Sequence, residues 1–396
     1  MKVSMQQVNK DSVAIQFACI AMAIITLIPF GRGNISGLEI GFPFMMLSVL
    51  FFLLTKRKKN KQSIFIITFL LFWAAWVLVG ITYSYLYYPG NADHISAYLR
   101  FFRMLEMYLP GVLILVFSRG MNKKQHNRIA IFVFTLFFLV TLESTIGFFL
   151  QSTALTATQM YKYPGMGYVY RAGGVAKDSS AYSNLILLLA ITAFIELKRM
   201  GKSPIIFLGL MTCLLINIYL SMSRSLMVAM LVYFITNLIL ERKIKPGTLF
   251  IIIAGIVSLL IVGMNNEYLT SFWARISGAN QEDISSGRFT TWALLLGLVG
   301  DNPLLGVGYR LSTEKYGLIP DNMFLSLSVE TGVIGLLLYL SFLMSLCVSV
   351  YKNNRDKFAL IIAYVVSGIF IDISTFWVSV PFFLFTMAIY KREPEN

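Results

Sequence analysis

The sequence predicts an all-α integral membrane protein of about twelve transmembrane helices, and three observations carry that prediction. First, 57% of the 396 residues are hydrophobic and only 13% are charged, against about 25% charged in soluble domains; mean hydropathy is +0.72. Second, the chain breaks into apolar runs, many near the ~17 residues needed to cross a bilayer as a helix. Third, basic residues alternate between the connecting segments. With the N-terminus inside, 22 of the 33 Lys and Arg residues fall on the inner side. Basic residues are normally kept in the cytoplasm, so both ends are placed there. No long polar block forms a separate soluble domain, and residues 1–396 read as one polytopic unit. The net charge of +14 reflects basic residues beside membrane helices rather than affinity for nucleic acid.

The elements follow in order. The first run, 13–30, is long for a signal-peptide core and lacks a small-residue cleavage site, so it reads as an uncleaved span. Runs 36–54 and 63–82 flank a basic inner connection at 55–62. Residues 89–103 lead into a short helix in which Arg100, Arg103 and Glu106, three apart, share a stripe before the span at 104–118. Further spans are expected at 129–150, 180–197, 205–221, 225–240, 247–264, 324–350, 358–373 and 374–390. Two outer loops are long, 151–179 and 265–323. Cys19, Cys213 and Cys347 all lie in apolar runs, so no disulfide framework or thiolate metal site is implied.

The two sides differ in kind as well as number. The inner segments hold 15 Lys and 7 Arg, the outer ones 3 Lys and 8 Arg. Lysine suffices to set topology, whereas arginine offers a planar fork of donors suited to phosphate oxygens. Arg171, Arg224, Arg288 and Arg310 are spaced along the outer side. Glu39, Glu106, Glu143, Glu330 and Asp372 also lie toward outer helix ends. A proton-coupled transporter more often places such groups near the midplane. The polar chemistry opens outward.

The most specific stretch runs Ser285-Ser286-Gly287-Arg288-Phe289-Thr290-Thr291-Trp292, then Asp301-Asn302-Pro303-Leu304-Leu305-Gly306-Val307-Gly308-Tyr309-Arg310. A helix starting near Arg288 offers free backbone N–H groups and a positive dipole end to a phosphate. A surface helix with Arg288 paired to Glu282 or Asp283 explains the first part equally well. Pro320-Asp321-Asn322 and Glu330-Thr331-Gly332-Val333-Ile334-Gly335 follow. Upstream lie Arg171-Ala172-Gly173-Gly174, leading to Asp178, and Ser221-Met222-Ser223-Arg224-Ser225. In this order the pieces resemble the O-antigen ligase and polymerase superfamily, over about residues 165–345 in motif detail and the whole chain in topology.

The resemblance implies a GT-C-like polytopic glycosyltransferase of the bacterial inner membrane, acting on glycans linked to undecaprenyl diphosphate. It implies that Arg171, Arg224 and Arg288 bind the diphosphate, with Arg310 in support. The ligase branch has a histidine where this chain has Asp321, so the polymerase branch is favoured. Its reaction transfers a growing chain onto a lipid-linked repeat unit, with a chain-length regulator as an implied partner. The alternatives are a ligase, with lipid A core as acceptor, and a lipid-glycan flippase or transporter.

The residues support this chemistry directly. Fixed guanidinium groups and a helix N-terminus can meet the charge that develops on a diphosphate leaving group, so neither metal nor cofactor is called for. The incoming hydroxyl must lose a proton, and Asp321 is the first choice of base. Asp321 also precedes an apolar helix, where Asp is favoured as an N-cap; both roles fit. Glu330 suits orienting an arginine better than serving as base. His94 is an alternative base on the outer side; His126 is cytoplasmic. Glu106 and Glu143 suit pairing with outer arginines. Tyr161, Tyr163, Tyr168 and Tyr170 suit interfacial anchoring or stacking on sugars.

Overall fold

The computed structural model describes residues 2–28, 36–54, 61–87, 94–118, 123–150, 158–163, 167–201, 204–241, 288–351 and 354–389. Among them the helices are α1 Lys2–Leu27, α2 Gly37–Leu53, α3 Lys61–Tyr87, α4 His94–Phe117, α5 Lys123–Leu150, α6 Ser179–Met200, α7 Pro204–Ser221 and α8 Arg224–Glu241. After residues 242–287, which lie outside the described set, come α9 Arg288–Asp301, α10 Leu311–Tyr316, α11 Met323–Tyr351, α12 Arg355–Phe370 and α13 Ser379–Ile389. Each expected span except 247–264 falls on one of these helices; that run lies outside the described residues.

Five helices are long and apolar enough to cross a membrane, at 64–87, 125–150, 179–200, 204–221 and 323–351, and four shorter apolar helices join them. The helix at α4 begins at His94 rather than at 104. Its charged first half conceals it from a hydropathy argument, and the structure explains why it tolerates those charges. Arg100 is ion-paired to Glu314 of α10, and Arg103 to Glu39 of α2 at 3.2 Å. Glu39 also closes a capping box with Ser36 at the start of α2.

Between α5 and α6 lies the segment expected as an outer loop, 151–179. It contains an antiparallel hairpin, β1 Thr158–Tyr163 and β2 Gly167–Ala172, in a register that sets Gln159 opposite Arg171 and Tyr163 opposite Gly167. Tyr161, Tyr163, Tyr168 and Tyr170 lie in these strands; their side chains are outside the described set.

Burial places α6 at the centre, with 94% of its apolar window inside the protein. It packs against α5, α7 and α8, while α3 packs on α11, α4 on α13 and α8 on α12. The outer helices turn large apolar side chains outward, such as Phe72 on α3 and Leu208 on α7, as a bilayer-facing surface requires. Asp178 starts α6 by accepting from the backbone N–H groups of Ser180 and Ala181, both at 2.8 Å. An aromatic cluster of Trp73, Tyr108, Tyr339 and Phe342 joins α3, α4 and α11.

Candidate functional site

Two of the sequence motifs turn out to be halves of one device. Helix α11 is broken at Gly332, where φ is 69° and ψ 178°, a conformation essentially restricted to glycine. The break frees carbonyl groups, and the loop between α9 and α10 uses them. Val307 N–H donates to the Val329 carbonyl at 2.8 Å, and Gly308 N–H to that of Glu330 at 3.1 Å. Trp76 of α3 donates its indole N–H to the Thr331 carbonyl at 3.0 Å. In return, Val333 N–H donates to the Pro303 carbonyl at 2.8 Å. The backbones approach so closely that a Cβ at Gly306 would lie 2.5 Å from the Val329 oxygen. The glycines in Asn-Pro-Leu-Leu-Gly-Val-Gly and in Glu-Thr-Gly are there to let two backbones touch.

This junction presents Arg310. Its neighbours Tyr309 and Leu311 are buried, and Arg310 itself holds φ 61° and ψ 10°, a left-handed conformation costing a non-glycine residue roughly 1–2 kcal/mol. The backbone is fixed from several sides: Arg100 donates to the Arg310 carbonyl at 3.4 Å. The Arg310 side chain is about a third exposed, and its Nη1 lies 3.6 Å from an Asp372 oxygen and 3.4 Å from the Thr375 hydroxyl. Burial works against its charge, but Glu330 and Asp372 more than offset this and raise its pKa above the ordinary arginine value. Glu330, almost fully buried on α11, accepts from the Ser312 hydroxyl at 2.9 Å.

Arg288 opens α9 and donates through Nε to Asp321 Oδ2 at 3.1 Å. This pair bears on one expectation, that Asp321 caps the next helix. The helix cap belongs to Asn322, whose Oδ1 accepts from the N–H groups of Phe324 and Leu325 at 2.9 and 3.0 Å. Asp and Asn both cap well, so the sequence could not separate the two adjacent residues. Asp321 instead holds Arg288 with one oxygen, and its side chain is 45% exposed. Glu282 and Asp283, the other partners expected for Arg288, lie outside the described residues. Asn322 also donates to the Ile369 carbonyl at 2.9 Å, and Ser326, one turn on, donates to Asp372 at 2.8 Å. The first turns of α11 therefore join the Arg288–Asp321 and Arg310–Asp372 pairs into one polar group.

Arg171 and Arg224 occupy an adjoining corner. Arg171 Nε donates to the Ser221 carbonyl at 2.7 Å, which sets it beside the Ser221–Arg224 turn. Gly174, at φ 52°, lets the chain fold over the Tyr182 ring. Tyr182 in turn donates to Asn217 of α7. Asn184, early in α6, bonds Ser367 near the end of α12 at 3.2 Å, so this corner abuts the helix that leads to Asp372. No described contact joins Arg171 or Arg224 to Arg288 or Arg310.

The remaining candidates fare differently. Glu143 has a buried Oε2 without a hydrogen bond, and among the described residues it pairs with no arginine. Glu106 lies near Arg103, but the carboxylate that closes on Arg103 is Glu39. His94 begins α4, and its side chain lies outside the described set. His126 meets Arg199 at 2.7 Å, at the opposite ends of α5 and α6 from Glu143 and Ser183. The residue the motifs did not single out is Asp372. The only sequence signal for it was a carboxylate between two apolar runs.

Comparison with known proteins finds two similarities. Residues 209–340, which carry the Ser221–Arg224 turn, Arg288, the glycine loop and the Gly332 break, match the family model described as O-antigen ligase. An O-antigen polymerase of Salmonella muenchen is 22% identical over 349 residues, 83% of this chain and 85% of the relative. Both findings support the O-antigen ligase and polymerase superfamily. The apolar helices described above fit a multi-pass membrane protein.

Proposed function

We propose that the chain is a polysaccharide repeat-unit polymerase of the bacterial inner membrane. In this reading both termini are cytoplasmic, about twelve spans form a GT-C-like bundle, and the arginine-rich end faces outward. The donor is a growing glycan on undecaprenyl diphosphate, and the acceptor is a hydroxyl of a second lipid-linked unit. The observation that carries the reading is the pair of arginine–aspartate contacts, one beside the start of α11 and one in the turn between α12 and α13. Among the described residues, Arg288 engages Asp321 through Nε alone, and Arg310 engages Asp372 and Thr375 through Nη1 alone. Each guanidinium is thus held from one side with donors left over, and a diphosphate needs that arrangement.

In the reaction, the bond between the donor sugar C1 and the phosphate oxygen breaks, and its electron pair leaves with undecaprenyl diphosphate. Arg288 and Arg310 meet that charge, with Arg171 and Arg224 contributing from the adjoining corner. The acceptor oxygen forms the new bond to C1, and its proton passes to the Asp321 oxygen that does not hold Arg288. The arginines supply the stabilisation that other diphosphate-processing sites take from a divalent ion.

The ligase reading keeps the same donor and arginines but takes lipid A core as acceptor; the description of the matched family model favours it, and the polymerase relative favours the first. A deletion strain separates them. Loss of the long glycan ladder with one repeat unit still on its final acceptor identifies a polymerase. Absence of surface glycan, with polymer accumulating on the lipid carrier, identifies a ligase. A flippase would move lipid-linked units without changing their length.

A further inference from the structure

We infer that Asp372 is the positioning residue for Arg310, aiming the guanidinium at the donor diphosphate. This rests on the diphosphate-binding role proposed above for Arg310. Asp372 lies in the turn between α12 and α13, is 7% exposed, and is 62 residues from Arg310 in sequence. Its carboxylate is surrounded by donors from three elements: Ser326 of α11 at 2.8 Å, Ser374 at 2.6 Å and Thr375 at 3.3 Å in its own turn, and Arg310 at 3.6 Å. The turn is itself braced from below. Tyr108 of α4 donates to the Ser374 carbonyl at 2.8 Å, and Tyr364 of α12 to the Ile373 carbonyl at 3.4 Å. A buried carboxylate with this many donors is an orienting group: its position is fixed before Arg310 arrives.

Glu330, Asp372 and Glu314 all act on the Arg310 charge, and among the described residues Asp372 is the one ion-paired to its guanidinium. Glu330 is already bonded to Ser312 within the bundle. Asp372 takes a single terminal nitrogen, and Thr375 shares that nitrogen. The left-handed backbone at Arg310 points to the same conclusion, since strain of this kind persists where surrounding contacts impose it and concentrates at functional sites. Without the Asp372 charge, Arg310 turns toward Glu330 and away from the ligand.

The test uses the purified full-length protein in lipid nanodiscs, titrated calorimetrically with inorganic pyrophosphate as the probe, with thermal unfolding as the check on folding. Arg310→Ala and Asp372→Asn should each weaken pyrophosphate binding by about tenfold or more, and the double variant should bind no more weakly than Arg310→Ala. Non-additivity of this sort is what action through Arg310 predicts, and a merely structural role would not produce it. Wild-type binding by Asp372→Asn alongside weakened Arg310→Ala would overturn the inference and leave the Arg310 role standing. Wild-type binding by Arg310→Ala would overturn both. Losses that multiply in the double variant would also refute positioning. If Asp372→Asn folds poorly, the combined Ser326→Ala and Ser374→Ala change loosens Asp372 while keeping its charge. Weakening that appears with Arg310 present and vanishes in Arg310→Ala supports the inference, and any other pattern contradicts it.

Discussion

Replacing Gly332 with alanine puts a methyl group where α11 breaks and the glycine loop docks. The new Cβ would overlap the Leu304 carbonyl and sit 2.7 Å from the Leu305 nitrogen, and both contacts are backbone. Neither can rotate away. The φ of 69° with ψ of 178° adds roughly 1–3 kcal/mol of strain for any residue with a side chain. Relief requires the loop to leave, which breaks the Val307–Val329, Gly308–Glu330 and Val333–Pro303 bonds, each worth about 1 kcal/mol net. The sum, about 4–6 kcal/mol, is at the top of the range for single substitutions. It falls on one junction rather than on the bundle, so the expected outcome is a protein that inserts normally but has lost the placement of Arg310. Two readouts check this: the glycan ladder, which should collapse, and maleimide labelling of a Val307→Cys variant whose native cysteines are replaced by serine. Val307 is buried in the intact junction, so labelling of that variant should rise sharply when Gly332→Ala is added. Gly297→Ala in α9 is the control, because nothing lies within 4 Å of its Cβ. A full ladder with Gly332→Ala, and no gain in labelling when it is combined with Val307→Cys, would overturn this expectation.

Other expectations follow from the same contacts. Arg288→Ala should lower the polymerisation rate about 10²–10³-fold, the usual cost of removing one donor to a developing oxyanion, with membrane levels unchanged. Arg288→Lys should recover little, because a point charge cannot hold Asp321 and a phosphate with one fork; full rescue would argue for bulk electrostatics. Asp321→Asn should abolish polymerisation but cost at most about 1 kcal/mol of stability, since it breaks a partly exposed pair and leaves the Asn322 cap intact. Asn322→Ala should do the reverse, costing about 1 kcal/mol of helix stability with activity retained; thermal melts and in vitro turnover separate the two. Burial raises the Asp372 pKa, with Arg310 and the Ser374 and Ser326 hydroxyls only partly opposing it. The ionised form, which holds Arg310, is therefore lost at a higher pH than for an ordinary aspartate as the solution is acidified. Donor affinity should fall on that acid limb in wild type, and Asp372→Asn should lack the limb.

Much of the helical layout was legible because membrane spans announce themselves by length and apolarity. What the sequence hid has physical reasons. The first half of α4 was legible as a short helix but not as part of the span, because Arg100 and Arg103 carry charge and their neutralising partners Glu314 and Glu39 are remote in sequence. The hairpin at 158–172 left a signal that could have been used: tyrosines alternating with polar or β-branched residues on either side of Pro164-Gly165-Met166-Gly167. The motif arginines were recognisable as types, but their partners were not. Asp321 and Asn322 are equivalent as caps on paper, and only the backbone geometry shows that Asn322 caps α11 while Asp321 faces Arg288. The fit of Gly306 against Val329, and of Arg310 against Asp372, depends on backbone and side-chain contacts between segments that no local pattern records.

Glycosyl transfer between two lipid-linked units is tested most directly by reconstitution. Purified protein in proteoliposomes would be given only undecaprenyl-diphosphate-linked repeat units, with no lipid A core present. The expected products are lipid-linked glycans of increasing length, with one undecaprenyl diphosphate released for each linkage formed and no products from Arg288→Ala. Units that stay single while crossing the bilayer, or that are transferred only once lipid A core is added, would contradict a polymerase.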